Sequence, residues 1–191
     1  MSKHSTPSQV YEVDNNIVLR TAEVGDAQLI SQYFTVNRDF LKPWEPERDE
    51  AFYSYVGWHQ RLVKLSELHR LGIGFYLLIT DKNTQAMYGT ISFSNLVRFP
   101  MHSCTVGYSL AESAQGKGIM SRALKMACHY MFDMQNMHRI SACYMPHNQR
   151  SAAVLNKAGF VEEGFAKDYL LINGQWQDHK MMSLTNLHWQ G

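Results

Sequence analysis

Several features that would assign the chain to a special class of protein are absent from its sequence. No apolar run reaches the roughly 18 residues that a membrane-spanning helix needs, so we expect no transmembrane segment. The first eight residues lack the apolar core of a signal peptide, which predicts that the protein is not exported. The chain has only three cysteines, without a Cys-x-x-Cys motif. Such thiols are typical of buried side chains in a reducing compartment, and we therefore expect a cytoplasmic protein.

An excess of charge of one sign is also missing, because 18 Lys and Arg residues oppose 17 Asp and Glu residues. A net charge of +1 indicates no basic footprint for duplex nucleic acid. The nine histidines show no His-x-x-x-His pair and no Cys/His cluster, so the sequence predicts no metal site. Neither a nucleotide P-loop nor a Gly-x-Gly-x-x-Gly dinucleotide motif is present.

The chain is expected to form one domain, since 191 residues suffice for one substantial core and are few for two. We expect a mobile segment over residues 1–15 and a single domain over residues 16–191. The predicted elements follow the order strand, two helices, three strands, helix, strand, helix, two strands. This order favours an α/β fold in which about four helices cover one mixed sheet.

Apolar periodicity and turn residues set the expected limits of these elements. Helices are predicted at about 26–36, 54–71, 120–134 and 149–158. Strands are predicted at 17–21, 75–80, 87–96, 104–110, 139–144, 165–172 and 176–184. Asp26 is expected to cap the first helix. Residues 40–46 are expected to form a loop, because Pro43 and Pro46 exclude a helix interior.

The most informative stretch is Tyr108–Leu124, where a predicted strand passes through a glycine turn, QGKG at 115–118, into a helix. Successive backbone N–H groups in such a turn form a concave, electropositive nest. The unpaired N–H groups at the helix start point the same way. The stretch therefore predicts a pyrophosphate-binding turn. The alternative is that the two glycines only make a tight connection between the strand and the helix.

The spacing Gln115-x-x-Gly118-x-Met120 resembles the acetyl-CoA pyrophosphate loop of the GNAT-type N-acetyltransferases. The last position of that loop is usually Gly or Ala, so ligand contact at Met120 is expected to be looser. Downstream, Asn148-x-x-Ser151 and the later Gly-Phe pair resemble the GNAT segment in which an asparagine hydrogen-bonds the pantetheine arm. The alternative is that Asn148 or Ser151 merely caps a helix.

The resemblance implies the GNAT fold, in which two neighbouring parallel strands splay apart after the motif strand and acetyl-CoA enters the gap. The cofactor-binding residues that it implies are Tyr108, Ser109, Leu110, Gln115, Gly116, Lys117, Gly118, Ile119, Met120, Ser121 and Asn148.

Three longer stretches carry a closer resemblance: FLKPWEP at 40–46, YMPHN at 144–148 and AKDYLLINGQW at 166–176. They are similar to the RimJ-type ribosomal-protein-alanine N-acetyltransferases, and the similarity extends over the chain after its first dozen residues. It implies acetyl transfer from acetyl-CoA to the α-amino group of an N-terminal alanine. The implied partner is a small-subunit ribosomal protein, free or on the assembling subunit.

The same resemblance implies roles at the reacting end of the site. Ser151 matches the serine that protonates the coenzyme A thiolate in such relatives, although packing in the first helical turn explains it equally well. A backbone N–H near Ser109 or Leu110 would donate to the thioester carbonyl. The residues expected to bind the acceptor are Trp44, Glu45, Tyr144 and Tyr169.

A general base is harder to assign. Cys143 and Leu170 stand where some relatives carry a glutamate. Candidate bases are Glu45, Glu47 and Asp168, although each is more typical of a solvated loop charge. An α-amino group has a pKa of about 7.7–8.0, so a neutral fraction exists near neutral pH and the need for a strong base is small.

Two other functions stay open on the sequence. One is a GNAT acetyltransferase for a small amine or another peptide N-terminus. The other is a non-catalytic, acetyl-CoA-binding ribosome-assembly factor, which the lack of an evident base allows.

Overall fold

The computed structural model describes residues 8–190, which form one eight-stranded sheet and five helices. The strands are β1 (Tyr11–Asp14), β2 (Ile17–Thr21), β3 (Phe75–Asp81), β4 (Met87–Val97), β5 (Ser103–Leu110), β6 (Arg139–Tyr144), β7 (Val161–Ile172) and β8 (Gln175–Thr185). The helices are α1 (Ala27–Val36), α2 (Arg38–Leu41), α3 (Tyr55–Arg70), α4 (Ile119–Asp133) and α5 (Gln149–Ala158). The α/β fold with a mixed sheet, which the order of elements predicts, is confirmed.

The sheet has the strand order β1-β2-β3-β4-β5-β6-β8-β7, and β5 and β6 form its parallel pair. That pair is short, since it runs only from Ser103 opposite Arg139 to Thr105 opposite Ser141. Beyond this point β5 stays paired with β4 and β6 stays paired with β8. The two parallel strands therefore separate, and the backbone of residues 106–110 faces a gap on its β6 side.

Helices cover both faces of the sheet. Phe75 and Tyr76 are consecutive in β3, so their side chains point to opposite faces. The Tyr76 ring lies 5.7 Å from the Trp58 ring of α3, and the Phe75 ring lies 5.8 Å from the Tyr130 ring of α4. Helices α3 and α4 thus lie on opposite faces, where α1 packs against α3 and α5 against α4. Within residues 8–190, none of the helices is long and apolar enough to cross a membrane.

Local signals place the two helices that follow β5 and β6. Helix α4 begins after Gly118, whose φ of 70° lies in the left-handed region that glycine tolerates best. Helix α5 begins after Asn148, whose side chain accepts a hydrogen bond from the Ser151 N–H at 3.1 Å. It ends at Gly159, which again has a left-handed backbone with φ of 92°.

The predicted mobile segment over residues 1–15 contains a strand. Residues 11–14, which belong to the predicted mobile segment, form strand β1 and pair with β2 through a turn at Asn15. The strand lies at the edge of the sheet and has only four residues, so the alternation of Tyr11 and Val13 with Glu12 and Asp14 is too short to identify a strand by itself. Val10 is buried as well, and its N–H donates to Thr21 Oγ1 at 2.8 Å. Residues 1–7 of the predicted segment lie outside the described residues.

Two local expectations about the first helical region need correction. Asp26 stands at the N-cap position of α1 as expected, but its side chain makes no capping hydrogen bond, because its carboxylate pairs with Arg20 at 2.6 Å and accepts the Glu23 N–H at 2.8 Å. The predicted loop at 40–46 contains the end of α2 and a 3-10 turn over Lys42–Trp44. Pro43 lies at the start of that turn, where a missing N–H costs nothing.

Candidate active site

The gap between β5 and β6 opens into a cavity of about 640 Å³. Both predicted motifs contribute to its wall, because the glycine turn follows β5 and the Asn148 segment follows β6. The predicted cofactor residues that line it are Tyr108, Ser109, Leu110, Gln115, Gly116, Gly118, Ile119, Met120, Ser121 and Asn148. The structure thus brings together all but one of the residues that the resemblance implies for this role.

The exception is Lys117, which is not among the residues that line the cavity. Its ammonium group donates to the Ser113 carbonyl at 2.8 Å, so the side chain folds back over the preceding 3-10 turn. The turn is also held from the other side, because Gln115 Nε2 donates to the Leu110 carbonyl at 3.0 Å. The glutamine side chain therefore fixes the glycine turn to the end of β5.

The two turn glycines leave their backbone open toward the cavity. Gly116 and Gly118 have φ values of 74° and 70°, and a Cβ atom added at either would meet no heavy atom within 4 Å. Such open backbone at the start of a helix suits an anion, since the first N–H groups of α4 have no partner inside the helix. The turn thus has the open backbone that the predicted pyrophosphate-binding role requires.

A pair of hydroxyl groups spans the splayed strands. Tyr108 OH, on β5, lies 2.8 Å from Ser151 Oγ in the first turn of α5. Burial raises the pKa of Tyr108, while its hydrogen bond with Ser151 opposes that shift. Both residues line the cavity, so a proton could reach a leaving group there from either hydroxyl. The capping interpretation of Asn148 also holds, because its Oδ1 accepts the Ser151 N–H.

The predicted acceptor residues divide into three that line the cavity and one that does not. Trp44, Glu45 and Tyr144 line it, and the Trp44 ring contacts the His147 ring at 5.5 Å between centroids. Tyr169 is 43% exposed and lies outside the lining, with its ring against His179. Its place is taken by the next residue, Leu170, which does line the cavity.

An irregularity in β7 explains why Leu170 rather than Tyr169 lines the cavity. The register between β7 and β8 shifts between Ala166 and Leu170, and Asp168 has a positive φ of 46°. Because successive strand residues face opposite sides, such a bulge decides which of Tyr169 and Leu170 points inward. The Asp168 N–H donates to Asp178 Oδ1 at 2.8 Å, which ties this candidate base to the hairpin rather than to the cavity.

Glu45 is the candidate base that lies at the cavity. It is partly buried, and that burial raises the pKa of its carboxyl group although the nearby Arg48 lowers it. Its backbone carbonyl accepts the N–H of Asn173 at 3.0 Å, which joins the loop to the tip of the β7–β8 hairpin. Glu47 does not line this cavity.

Several side chains at the site were not expected from the sequence. Tyr33 OH of α1 lies 2.9 Å from Ser109 Oγ, which in turn lies 3.1 Å from Thr90 Oγ1. Asn37 Oδ1 accepts the Glu112 N–H at 3.0 Å and so fastens the end of α1 to the turn after β5. The apolar periodicity of α1 predicts that Tyr33 is buried. No feature of the sequence predicts the hydrogen-bond partners of Tyr33 or Asn37, which are distant along the chain.

Cys143 and His179 also line the cavity. Burial raises the pKa of the Cys143 thiol, which favours its protonated form. His179 Nδ1 lies 2.9 Å from the Gln177 carbonyl, and because a carbonyl only accepts, Nδ1 carries the proton in this bond. Among residues 8–190 no group of three or more His, Cys, Asp or Glu side chains could hold a metal ion.

Comparisons with known proteins agree with this geometry. A family model described as an acetyltransferase (GNAT) domain matches residues 16–161. The ribosomal protein uS5-alanine N-acetyltransferase of Escherichia coli strain K12 is 46% identical over 175 residues, which cover 92% of this chain and 90% of that protein. The crystal structure of ribosomal-protein-S5-alanine acetyltransferase from Vibrio fischeri is 47% identical, with a TM-score of 0.93, and covers 95% of this chain and 100% of that one.

A third relative was solved with a ligand. Mycobacterium smegmatis RimJ in complex with CoA-disulfide is 30% identical, with a TM-score of 0.86, and covers 94% of this chain and 88% of that one. The expected fold, with parallel strands that splay next to a glycine turn, is confirmed by these matches. From its strand order, its cavity and its relatives alike, the chain belongs to the GNAT acetyltransferase family.

Proposed function

We propose that this protein transfers the acetyl group of acetyl-CoA to the α-amino group of an N-terminal alanine on a small-subunit ribosomal protein. The observation that carries the proposal is the 46% identity, over nearly the whole chain, to a ribosomal protein uS5-alanine N-acetyltransferase. The acceptor would be uS5 or a close equivalent, met free or on the assembling small subunit in the cytoplasm.

Acetyl-CoA would lie in the gap between β5 and β6. Its pyrophosphate would sit on the open backbone of Gly116 and Gly118 and on the first N–H groups of α4. The pantetheine arm would pass between residues 106–110 and Asn148, where the sheet lacks pairing. This path leads the thioester toward Tyr108 and the Ser109 backbone. Ile119, Met120 and Ser121 would line the pyrophosphate end.

Direct attack of the neutral amine on the thioester is the chemistry that the cavity supports best. A backbone N–H near Ser109 or Leu110 would polarise the thioester carbonyl, as donors aimed at developing charge do in acyl transfer. The C–S bond then breaks, and the thiolate takes a proton from Ser151, whose hydroxyl Tyr108 can resupply across 2.8 Å. Alignment of both reactants in one groove would supply much of the rate.

The acceptor end would be formed by Trp44, Glu45 and Tyr144. Tyr169 would contact the acceptor only where the peptide leaves the cavity, since its side chain is 43% exposed and packs against the lining residue His179. Aromatic walls suit a peptide whose first side chain is as small as alanine.

An acetyl-transfer assay tests the proposal with short peptides that begin with Ala, with Ser or with a bulky residue, and with free small amines such as polyamines. We expect the highest kcat/KM for the Ala peptide. Turnover of small amines alone would contradict the proposed acceptor. Binding of acetyl-CoA without turnover of any amine would leave only a non-catalytic role.

A further inference from the structure

Glu45 occupies a position that substrate contact alone does not explain. A second cavity of about 240 Å³ lies beside the larger one, and the two share the wall made by Leu41, Glu45 and Pro46. The larger cavity is the site for the reactants. The smaller one has charged, exposed side chains in its wall, among them Arg38 and Lys42. Glu45 therefore stands between the reaction site and a polar, water-accessible space.

The carboxylate of Glu45 is free to interact with an incoming group. Of the described residues that line the larger cavity, it is the one carboxylate. It takes part in none of the ion pairs or side-chain hydrogen bonds found within residues 8–190. A partly buried carboxylate without such a partner favours the approach of a cation, and the α-ammonium group of a peptide is one.

Electrostatic interactions connect Glu45 with side chains beside the proposed acetyl-transfer site. The phenols of Tyr33 on α1 and Tyr76 on β3 both interact electrostatically with its carboxylate. Tyr33 OH is itself 2.9 Å from Ser109 Oγ, on the strand whose N–H would polarise the thioester. The guanidinium of Arg48 faces Glu45 from its own loop.

The smaller cavity adds further charges of both signs. Basic groups there are Arg38, Lys42 and Arg48, and acidic groups are Asp39 and Glu47. Arg38 is engaged by Glu50 at 2.6 Å, so it does not neutralise Glu45. Burial raises the pKa of Glu45 and outweighs the opposite effect of Arg48, so this carboxyl group takes up a proton more readily than an exposed glutamate does.

We propose that Glu45 is the general base of the reaction and accepts a proton from the α-ammonium group of the acceptor before the amine attacks the thioester. This inference rests on the proposed function. The neutral amine then forms the C–N bond, the C–S bond breaks, and its electron pair goes to sulfur. Nitrogen loses a second proton as the amide forms, which balances the proton that the thiolate takes up. Glu45 returns its own proton to water through the smaller cavity, so one proton is released per turnover.

The test compares Glu45→Gln with the wild-type enzyme on an N-terminal Ala peptide at about pH 7 and about pH 9.5, above the amine pKa of about 8. Glutamine keeps the size of the side chain and removes its basicity. We expect kcat/KM to fall about 100-fold at the lower pH and to come within about threefold of the wild type at the higher pH. Acetyl-CoA affinity, measured by calorimetry, should not change.

Glu12→Gln is the control, because it makes the same chemical change at an exposed glutamate of β1 that lines neither cavity. It should behave like the wild type at both pH values. Wild-type activity of Glu45→Gln at pH 7, or an equal loss at both pH values, would overturn the inference. A pH-dependent loss in His179→Gln instead would assign the base to that histidine. If the wild type uses another amine than the Ala peptide, the proposed acceptor fails, and the same pH comparison with that amine still decides the role of Glu45.

Discussion

Replacement of Gly118 by alanine separates the binding role of the glycine turn from its conformational role. An added Cβ meets no protein atom within 4 Å, so packing is not disturbed. The backbone φ of 70° is unfavourable for alanine by about 1–2 kcal/mol, and the fold should lose that much stability. Gly118 lines the cavity, however, so in the proposed site an added Cβ would compete with a pyrophosphate oxygen for the space beside the backbone N–H groups.

The size of the affinity loss follows from the contact that is removed. A hydrogen bond to a charged group contributes about 1.5–3 kcal/mol, and loss of one corresponds to about a 10- to 150-fold rise in Kd. We therefore expect Gly118→Ala to lower acetyl-CoA affinity by that factor in a calorimetric titration of the folded variant.

Gly159→Ala is the matched control for backbone strain. Gly159 has a φ of 92° at the end of α5, its Cβ would make an ordinary 3.5 Å contact with Leu184, and it does not line the cavity. Both variants should show a similar fall in Tm, while only Gly118→Ala should bind acetyl-CoA weakly. Unchanged affinity in Gly118→Ala, or an equal loss in both variants, would refute the placement of the pyrophosphate.

Three further outcomes are expected. Ser151→Ala should lower kcat about 100-fold with little change in acetyl-CoA affinity, and Tyr108→Phe should lower kcat by a smaller factor. A decrease in kcat of less than about tenfold in Ser151→Ala would mean that water supplies the proton to the thiolate. Trp44→Ala should raise the KM for the Ala peptide and leave acetyl-CoA affinity unchanged; a loss of acetyl-CoA affinity would place Trp44 on the cofactor side. Hydrogen bonds from Tyr88 OH and backbone N–H groups hold the pKa of Asp81 well below its usual range. That stabilisation is present above the unfolded pKa of about 3.9 and is lost as pH falls through the folded pKa. Asp81→Asn should therefore lower Tm at pH 7, and the Tm of the variant should decrease less steeply than that of the wild type below about pH 4. Parallel curves of Tm against pH for the two proteins would contradict this.

The parts of the site that could be predicted are those whose conformation is determined by neighbouring residues in the sequence. The glycine turn at 115–118 and the Asn148 segment carry their conformation locally, through left-handed glycines and a side-chain cap. Most of the implied cofactor residues therefore line the cavity. Lys117 is the exception, because its ammonium group donates to the Ser113 carbonyl and its side chain does not line the cavity.

The parts that could not be predicted depend on register or on distant partners. A bulge in β7 decides that Leu170 rather than Tyr169 faces the cavity, and one Asp168 within an otherwise strand-like run does not fix the position of a bulge in advance. The pairing of Tyr33 with Ser109 joins residues 76 positions apart. Strand β1 was not predicted because its four residues give only two apolar positions, Tyr11 and Val13, which is too short a pattern to distinguish a strand from a loop.

The brief contact between β5 and β6 has a consequence for the lifetime of the protein. Within residues 8–190, three residue pairs form the strand pairing between the half of the sheet with β1–β5 and the half with β6–β8, and the His138 and Arg139 N–H groups add hydrogen bonds to the His102 carbonyl. A molecule that binds both the glycine turn after β5 and Asn148 after β6 would connect the two halves of the sheet and stabilise their contact. At a concentration 100 times its Kd, such a ligand stabilises the folded state by about 2.7 kcal/mol. The concentration of acetyl-CoA would then affect the resistance of the protein to proteolysis as well as the rate of acetylation, and a fall in acetyl-CoA would shorten the lifetime of the protein.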